Sequence, residues 1–346
     1  MTAALHYLMR RLGWAVVVVI GVGTVAFVMA RPLPGDPTRM VLGPQARPAD
    51  VERARKIYGL DQPVWTQYAK FWSRLVHLHA GDDPDKSHVT CGNPVGSLHI
   101  DLGFSYRYRQ PVVKLIAKKA PRTFELALAA LLLQALIGLG AGIAAAYRRG
   151  SLYDQLAIGA TLIGVSAPTF VLGLLLQYVL AHKLGWLPLD GYGQTPAEQL
   201  RSLVLPALTL GLFGAALYAR LSRDEVAQTL REDYIRTARA KGASPARVLV
   251  VHGLRNALLP IVTLLVLDLG TLIGGAIVTE KLFRWPGLGA MAVDAMVHRD
   301  GPVIFGTVLF SAMAIVVATL LIDVLAVTLD PRLRRPDRVR EAVRSN

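Results

Sequence analysis

Six apolar stretches dominate the chain: residues 12–30, 126–146, 155–181, 202–219, 256–279 and 303–322. They run for 18 to 27 residues, and a charge interrupts only the fifth, at Asp268. A bilayer core takes about 20 apolar residues of helix. Backbone in lipid must satisfy its own hydrogen bonds, so such runs span as helices. The pattern predicts an all-α polytopic membrane protein with six transmembrane helices. Arg10 and Arg11 ahead of the first run also fit a cleavable signal peptide. That run is longer than a usual signal core and Arg31-Pro32 follows directly, so an uncleaved first helix is preferred.

Charge then sets orientation. The net charge is +14, although only 18% of the 346 residues are charged, against about 25% in a typical soluble protein. A basic balance can signal a nucleic-acid partner, but here the basic residues sit between apolar runs. With the N-terminus inside, 18 Lys and Arg of the short loops and tails are cytoplasmic and 5 are outside. The inner set includes Arg10, Arg11, Arg148 and Arg149, eight residues of 220–256 and six of the tail. Positive charge stays inside, so both termini are expected in the cytoplasm. The expected organisation is a cytoplasmic N-terminus and first helix over 1–30 and an extracytoplasmic loop with amphipathic helices over 31–121. Five further transmembrane helices follow over 122–330, with a cytoplasmic loop over 220–256, and a basic cytoplasmic tail occupies 331–346.

The external loop opens on a turn-forming cluster, Arg31 to Pro37. A short helix is expected over 50–58 and a second after Pro63. In the second, Trp65, Tyr68, Phe71 or Trp72, and Leu75 recur at helical spacing. Such a stripe packs on the outer ends of spans or sits at the membrane–water boundary. Four of the eight histidines lie in 77–101, among Asp82, Asp83, Asp85 and Asp101. His77, His79, His88 and Cys91 are candidate metal ligands by donor type. Their spacing matches no closed metal site, and a polar insertion is the preferred reading. Cys91 is the single cysteine, which excludes a disulfide framework and any CxxC site.

The cytoplasmic loop reads as helix, tight turn, helix. Leu230 to Lys241 has helix-forming composition, with Leu230, Tyr234, Ile235 and Ala238 on one face. Gly242 is a C-terminal stop. Ser244 followed by Pro245 opens the next helix, serine as cap and proline in the first turn. A basic loop near anionic lipid would explain the charge. It would not explain two capped short helices with Ala238, Ala240, Gly242 and Ala243 at their junction. Small residues there allow a close approach by another protein, so a docking element is the better reading.

Arg236-Thr-Ala-Arg-Ala-Lys-Gly242, followed by Leu259-Pro260, resembles the EAA loop of bacterial ABC import permeases. The form is similar to the dipeptide/oligopeptide branch. So are Leu33 to Pro37, Tyr58 to Pro63, Asp101 to Ser105, Ser166 to Phe170, Leu184 to Pro188, Trp285 to Gly289 and Leu329 to Arg334. The resemblance covers nearly the whole chain in one order. It implies a type I importer bundle in the bacterial cytoplasmic membrane, moving peptides by alternating access. It implies as partners a second permease, one or two cytoplasmic ATPases and an extracytoplasmic binding protein. Docking on the ATPase falls to Arg236, Thr237, Ala238, Arg239, Lys241 and Gly242. The general motif begins with Glu where this chain has Arg236, so a salt bridge through Glu is not carried over. ATP and magnesium belong to the partner ATPase. This chain has no GxxxxGK[ST] loop, no HExxH, no GxSxG and no nucleophile–base pair, so no enzymatic activity or bound cofactor is expected.

Asp268 falls near the middle of the fifth run. A charge there costs at least ~2.5 kcal/mol, so it should face the bundle or a water-filled path. It lines the pathway, near a peptide's amino terminus, or else joins helices by a hydrogen bond. Asp323 is expected to pair with cytoplasmic cations. Glu125 opens the second run within reach of water, and Gln134 and Gln177 are expected to bond between helices. His252 and His298 receive no role. Gly270, Gly274, Gly275 and Ala276 form a small-residue strip suited to close packing, within the bundle or at a permease–permease interface. The alternatives are a nickel-chelate or other small-solute ABC permease and a self-contained secondary transporter. The latter class shows internal repeats and paired broken helices, which the halves of this sequence do not.

Overall fold

A computed structural model of the chain describes residues 2–30, 42, 45–57, 60–78, 98–166 and 168–329. In order they form α1 (Thr2–Ala30), α2 (Pro48–Ile57), α3 (Val64–Leu75), β1 (Val76–Leu78) and β2 (Leu98–Ile100). Next come α4 (Val112–Tyr147), α5 (Leu152–Ser166), α6 (Thr169–Lys183) and α7 (Pro196–Thr229). The remainder is α8 (Asp233–Ala240), α9 (Pro245–Arg247), α10 (Arg255–Gly275), α11 (Ile277–Leu282), α12 (Leu288–Val297) and α13 (Gly301–Leu329). Single stretches of π-helix occur at Ala135–Leu139, Gln177–Lys183 and Val248–Leu254.

The all-α class holds, and the described residues of the six apolar runs are helical except at Pro168 and Ala276. Four helices among the described residues are long and apolar enough to cross a membrane: Met9–Val28, Val112–Tyr147, Pro196–Thr229 and Gly301–Ile322. A fifth is the pair Pro245–Leu258 and Pro260–Gly274, bent by 48°, where Pro260 supplies no amide hydrogen and crowds the preceding turn. The third run differs from the single span expected. Pro168 divides it into α5 and α6, because proline ends helical hydrogen bonding and disfavours helix in the residue before it. α4 begins at Val112, inside the stretch assigned to the external loop, and carries Pro121 within it. β1 and β2 were not anticipated either. They pair antiparallel with His77 opposite His99, and so close the insertion by its ends.

The chain divides into two compact units. One gathers residues 14–123 and 286–313. Its centre is aromatic: Phe71 meets Phe305 edge-to-face at 4.2 Å, and Phe27 meets Tyr68 at 5.3 Å. Tyr68 also shares a 2.7 Å hydrogen bond with Thr24. Trp72 lies over Gly23 so closely that a Cβ there would stand 2.8 Å from its ring. The α3 stripe thus packs on α1 and α13 through Tyr68, Phe71, Trp72 and Leu75, whereas Trp65 is 82% exposed. In the same unit the fully buried Asp300 accepts hydrogen bonds from Ser105 Oγ at 2.5 Å and from the backbone amides of Tyr106 and Arg107 at 3.3 and 3.1 Å. One carboxylate therefore holds the loop that follows Asp101-Leu-Gly-Phe-Ser105. Asp300→Ala would strand three donors and should cost about 3 kcal/mol or more. The thermal midpoint should fall, and trypsin should cut faster after Arg107 and Arg109. An unchanged midpoint and digestion pattern would remove Asp300 from this role.

The other unit gathers residues 1–13, 124–285 and 314–346. Its core joins Leu126, Ala127 and Ala130 of α4 to Ala207 and Leu210 of α7, Leu272 of α10, Ala276 and the buried Trp285. The α4–α7 seam is close because it is built from small residues. A Cβ on Gly138 would stand 2.8 Å from the Ala215 carbonyl, and one on Gly142 would collide with Ser222. Backbones approach this way in membranes, where packing replaces the hydrophobic drive between helices. Gly270 is used likewise, against Ala318 and Ile315 of α13.

Candidate coupling surface and interior cavity

The helix–turn–helix expected within 220–256 is formed by α8, α9 and the π-helical turn beyond. α8 starts at Asp233 and not at the expected Leu230, because α7 ends at Thr229 and residues 230–232 turn between the two helices. Ile235 is fully buried, and Tyr234 accepts a 2.8 Å hydrogen bond from Asn256 at the start of α10. These two contacts seat α8 on its own chain by one face. Arg236, Thr237, Arg239 and Lys241 are exposed, and Ala238 is half-buried. Arg236 faces Asp233 at 3.5 Å with both side chains largely in solvent, a pair worth little.

The end of α8 is a Schellman turn. The Gly242 amide bonds the Arg239 carbonyl at 2.9 Å and the Ala243 amide the Ala238 carbonyl at 3.2 Å. Gly242 has φ +81°, a conformation glycine adopts at no steric cost. Ser244 then caps α9 by accepting from the Arg247 amide, with Pro245 in the first turn, as the spacing predicts. Behind the hairpin, Asp154 at the start of α5 grips Arg223 of α7 with both carboxylate oxygens, at 2.5 and 2.9 Å. The guanidinium and the Gly150 amide hold the Asp154 carboxyl down at about 2. This pair was not legible in the sequence: 69 residues separate the partners, and Arg223 reads there as one more loop cation.

Asp268 lies on α10 and lines a cavity of about 440 Å³ bounded by α4, α6, α7, α10 and α11. Its carboxylate accepts from Tyr218 Oη at 3.2 Å and from Thr271 Oγ1 at 3.0 Å. Gln134 also lines the cavity. It donates to the Leu210 carbonyl of α7 at 3.2 Å, between helices as expected, while its buried Oε1 has no hydrogen-bond partner. Gly214 leaves room for this side chain, since a Cβ there would collide with the Gln134 amide. The other candidates disperse. Gln177 donates to the Leu189 carbonyl at 3.0 Å, a loop and not a helix. His298 Nδ1 lies 2.7 Å from the Asp294 carbonyl at the end of α12, and His252 sits in the π-helical turn after α9. Glu125 lies in α4 and Asp323 in α13, the latter with its side chain outside the described set. His77 belongs to β1, and His79, His88 and Cys91 fall outside the described residues. No group of three or more metal-ligating side chains occurs among the described residues.

Residues 138–335 match the family described as binding-protein-dependent transport system inner membrane component, and residues 4–127 match the corresponding N-terminal family. The chain is 38% identical over 330 residues to a glutathione transport system permease protein GsiC of Escherichia coli O6:H1. The alignment spans 95% of this chain and 99% of that protein. The protein of the same name from Salmonella typhimurium is 37% identical over the same length. Among solved structures, an inward-facing conformation of the MetNI methionine ABC transporter aligns with TM-score 0.52 and 18% identity. It covers 63% of this chain and 97% of that one, and shows likeness of fold.

Proposed function

Because the chain belongs to the family of binding-protein-dependent transport system inner membrane components, we propose that it forms one half of a peptide-importing pathway, driven through α8 by a separate ATPase. As a permease of that family it is a membrane protein and not the ATPase itself. The observation that carries the reading is α8: Ile235 and Tyr234 fix it to its own chain, and Arg236, Thr237, Arg239 and Lys241 are left exposed beside the Gly242 turn. An eight-residue helix closed by a Schellman turn transmits a push, which a solvated basic loop cannot. Ala238 and Gly242 keep the end of the helix low enough for a partner's surface to close over it. The relatives' glutathione is itself a small peptide, which supports peptides over nickel chelates as cargo. The 18-to-5 distribution of Lys and Arg supports cytoplasmic termini and an α8 on the ATPase side. A second permease completes the bundle, a secreted binding protein delivers the peptide, and Asp268 lines the path.

The test is reconstitution. Co-expressed with a second permease, an ATPase and a binding protein of the same kind of importer, the chain should co-purify with the ATPase. The proteoliposomes should take up labelled dipeptides only with ATP and binding protein present. Transport by this chain alone, down an ion gradient, would overturn the assignment.

A further inference from the structure

The cavity around Asp268 has a composition that selects among ligands. Its polar wall is Gln134, Thr169, Asp268, Thr271 and Thr279, and Phe213, Leu217, Leu272 and Val278 supply apolar surface. Among the described lining residues there is one carboxylate and no Lys, Arg or His. A volume of about 440 Å³ falls in the range of small-molecule sites. An ionised carboxylate accepts at about four lone-pair positions, and the Tyr218 and Thr271 hydroxyls occupy two here. The carboxylate therefore retains acceptor capacity, and at bilayer depth such a group needs a partner or water. A second acceptor in the same wall, Gln134 Oε1, is buried and unpartnered, a state that calls for a ligand or a water.

These observations exclude most ligand types. A ligand whose only charges are negative, a simple carboxylate or a phosphate, would meet a negative wall with no cation. A divalent metal needs a cluster of His, Cys or carboxylate ligands, and this wall offers one carboxylate. A primary ammonium brings three donors and one positive charge, which one carboxylate and neutral acceptors satisfy, and an apolar neighbour would lie against Phe213 and Leu217. We propose that this cavity is a stopping site on the pathway that recognises the α-ammonium group of a dipeptide-sized ligand, through Asp268 with Gln134 beside it. The inference rests on the peptide-import reading and names the group of the peptide that this chain itself reads.

The experiment uses the full membrane complex in lipid nanodiscs without the binding protein. Equilibrium dialysis compares labelled Ala-Phe with N-acetyl-Ala-Phe, which lacks the positive charge. Wild type should hold the free-amine peptide about tenfold more tightly, the usual worth of a charge-assisted hydrogen bond. Asp268→Asn should erase that preference, chiefly by weakening the free-amine peptide, and Asp268→Glu should retain it. Equal affinities in wild type, no binding of either peptide, or a preference that survives Asp268→Asn each overturns the proposal. The wild-type comparison decides even if the Asn variant does not fold. ATP-driven uptake is measured in parallel. An amine preference without any peptide uptake would sink the import reading alone, and uptake without a preference would sink the ammonium site alone.

Discussion

Gly242→Val should reduce ATP-driven uptake by at least about tenfold while the purified chain keeps its fold. The residue has φ +81° with no atom within 4 Å of a Cβ placed there. Nothing inside the chain therefore objects to the side chain's volume. The objection is conformational: left-handed backbone costs an ordinary L-residue about 1–2 kcal/mol, and a β-branched one more. Relaxing that strain breaks the Ala243-to-Ala238 bond and re-aims the end of α8. Since 1.4 kcal/mol is a factor of ten, the turn would leave its docking geometry most of the time. Gly242→Asn separates two causes, because asparagine tolerates this conformation but adds a side chain. If Asn restores uptake and ATPase co-purification, the requirement is backbone shape. If it fails as Val does, the partner's surface needs the position bare. Full uptake by the Val variant would remove the turn from coupling.

That turn was readable in advance because its determinants are local. Gly242, Ser244 and Pro245 each act within four residues, and the structure shows their capping bonds where the spacing put them. The six apolar runs were readable for a similar reason: length and absence of charge are properties of a segment. What sequence could not show was long-range. Nothing local assigns Asp300 to the loop at 105–107 across 194 positions, or Gln134 to a cavity shared with Asp268. The break at Pro168 has a local cause, but a charge-free run of 27 residues has the length and composition of a single span. Asp268 was marked by the cost of its charge, and its partners Tyr218 and Thr271 emerged only with the packing of α7 and α10.

Arg223→Ala should be the most destabilising single change on the coupling side. The Asp154 side chain is 4% exposed and that of Arg223 17%. Removing the guanidinium strands a buried carboxylate, which costs about 3–5 kcal/mol. The Gly150 amide remains as one partner at 2.9 Å, so the loss should fall toward the lower end of that range. Asp154→Asn should cost less, since a neutral amide oxygen can still accept from Gly150. The pH dependence has a definite sign. The Asp154 carboxyl is held at about 2 in the folded chain, below its ordinary 3.8, so its contribution is complete above about pH 4. It is lost as pH falls from there toward 2, and Arg223→Ala should flatten the unfolding curve in that window. Thermal midpoints in detergent across this range measure both effects. An Arg223→Ala midpoint within error of wild type would show that the pair contributes nothing. The consequence reaches α8 because α7 ends at Thr229, six residues beyond Arg223. The ion pair ties that end of α7 to the start of α5. Weakening it leaves α8 attached to a stalk that yields under load, so uptake should fall at temperatures where the Arg223→Ala chain is still folded.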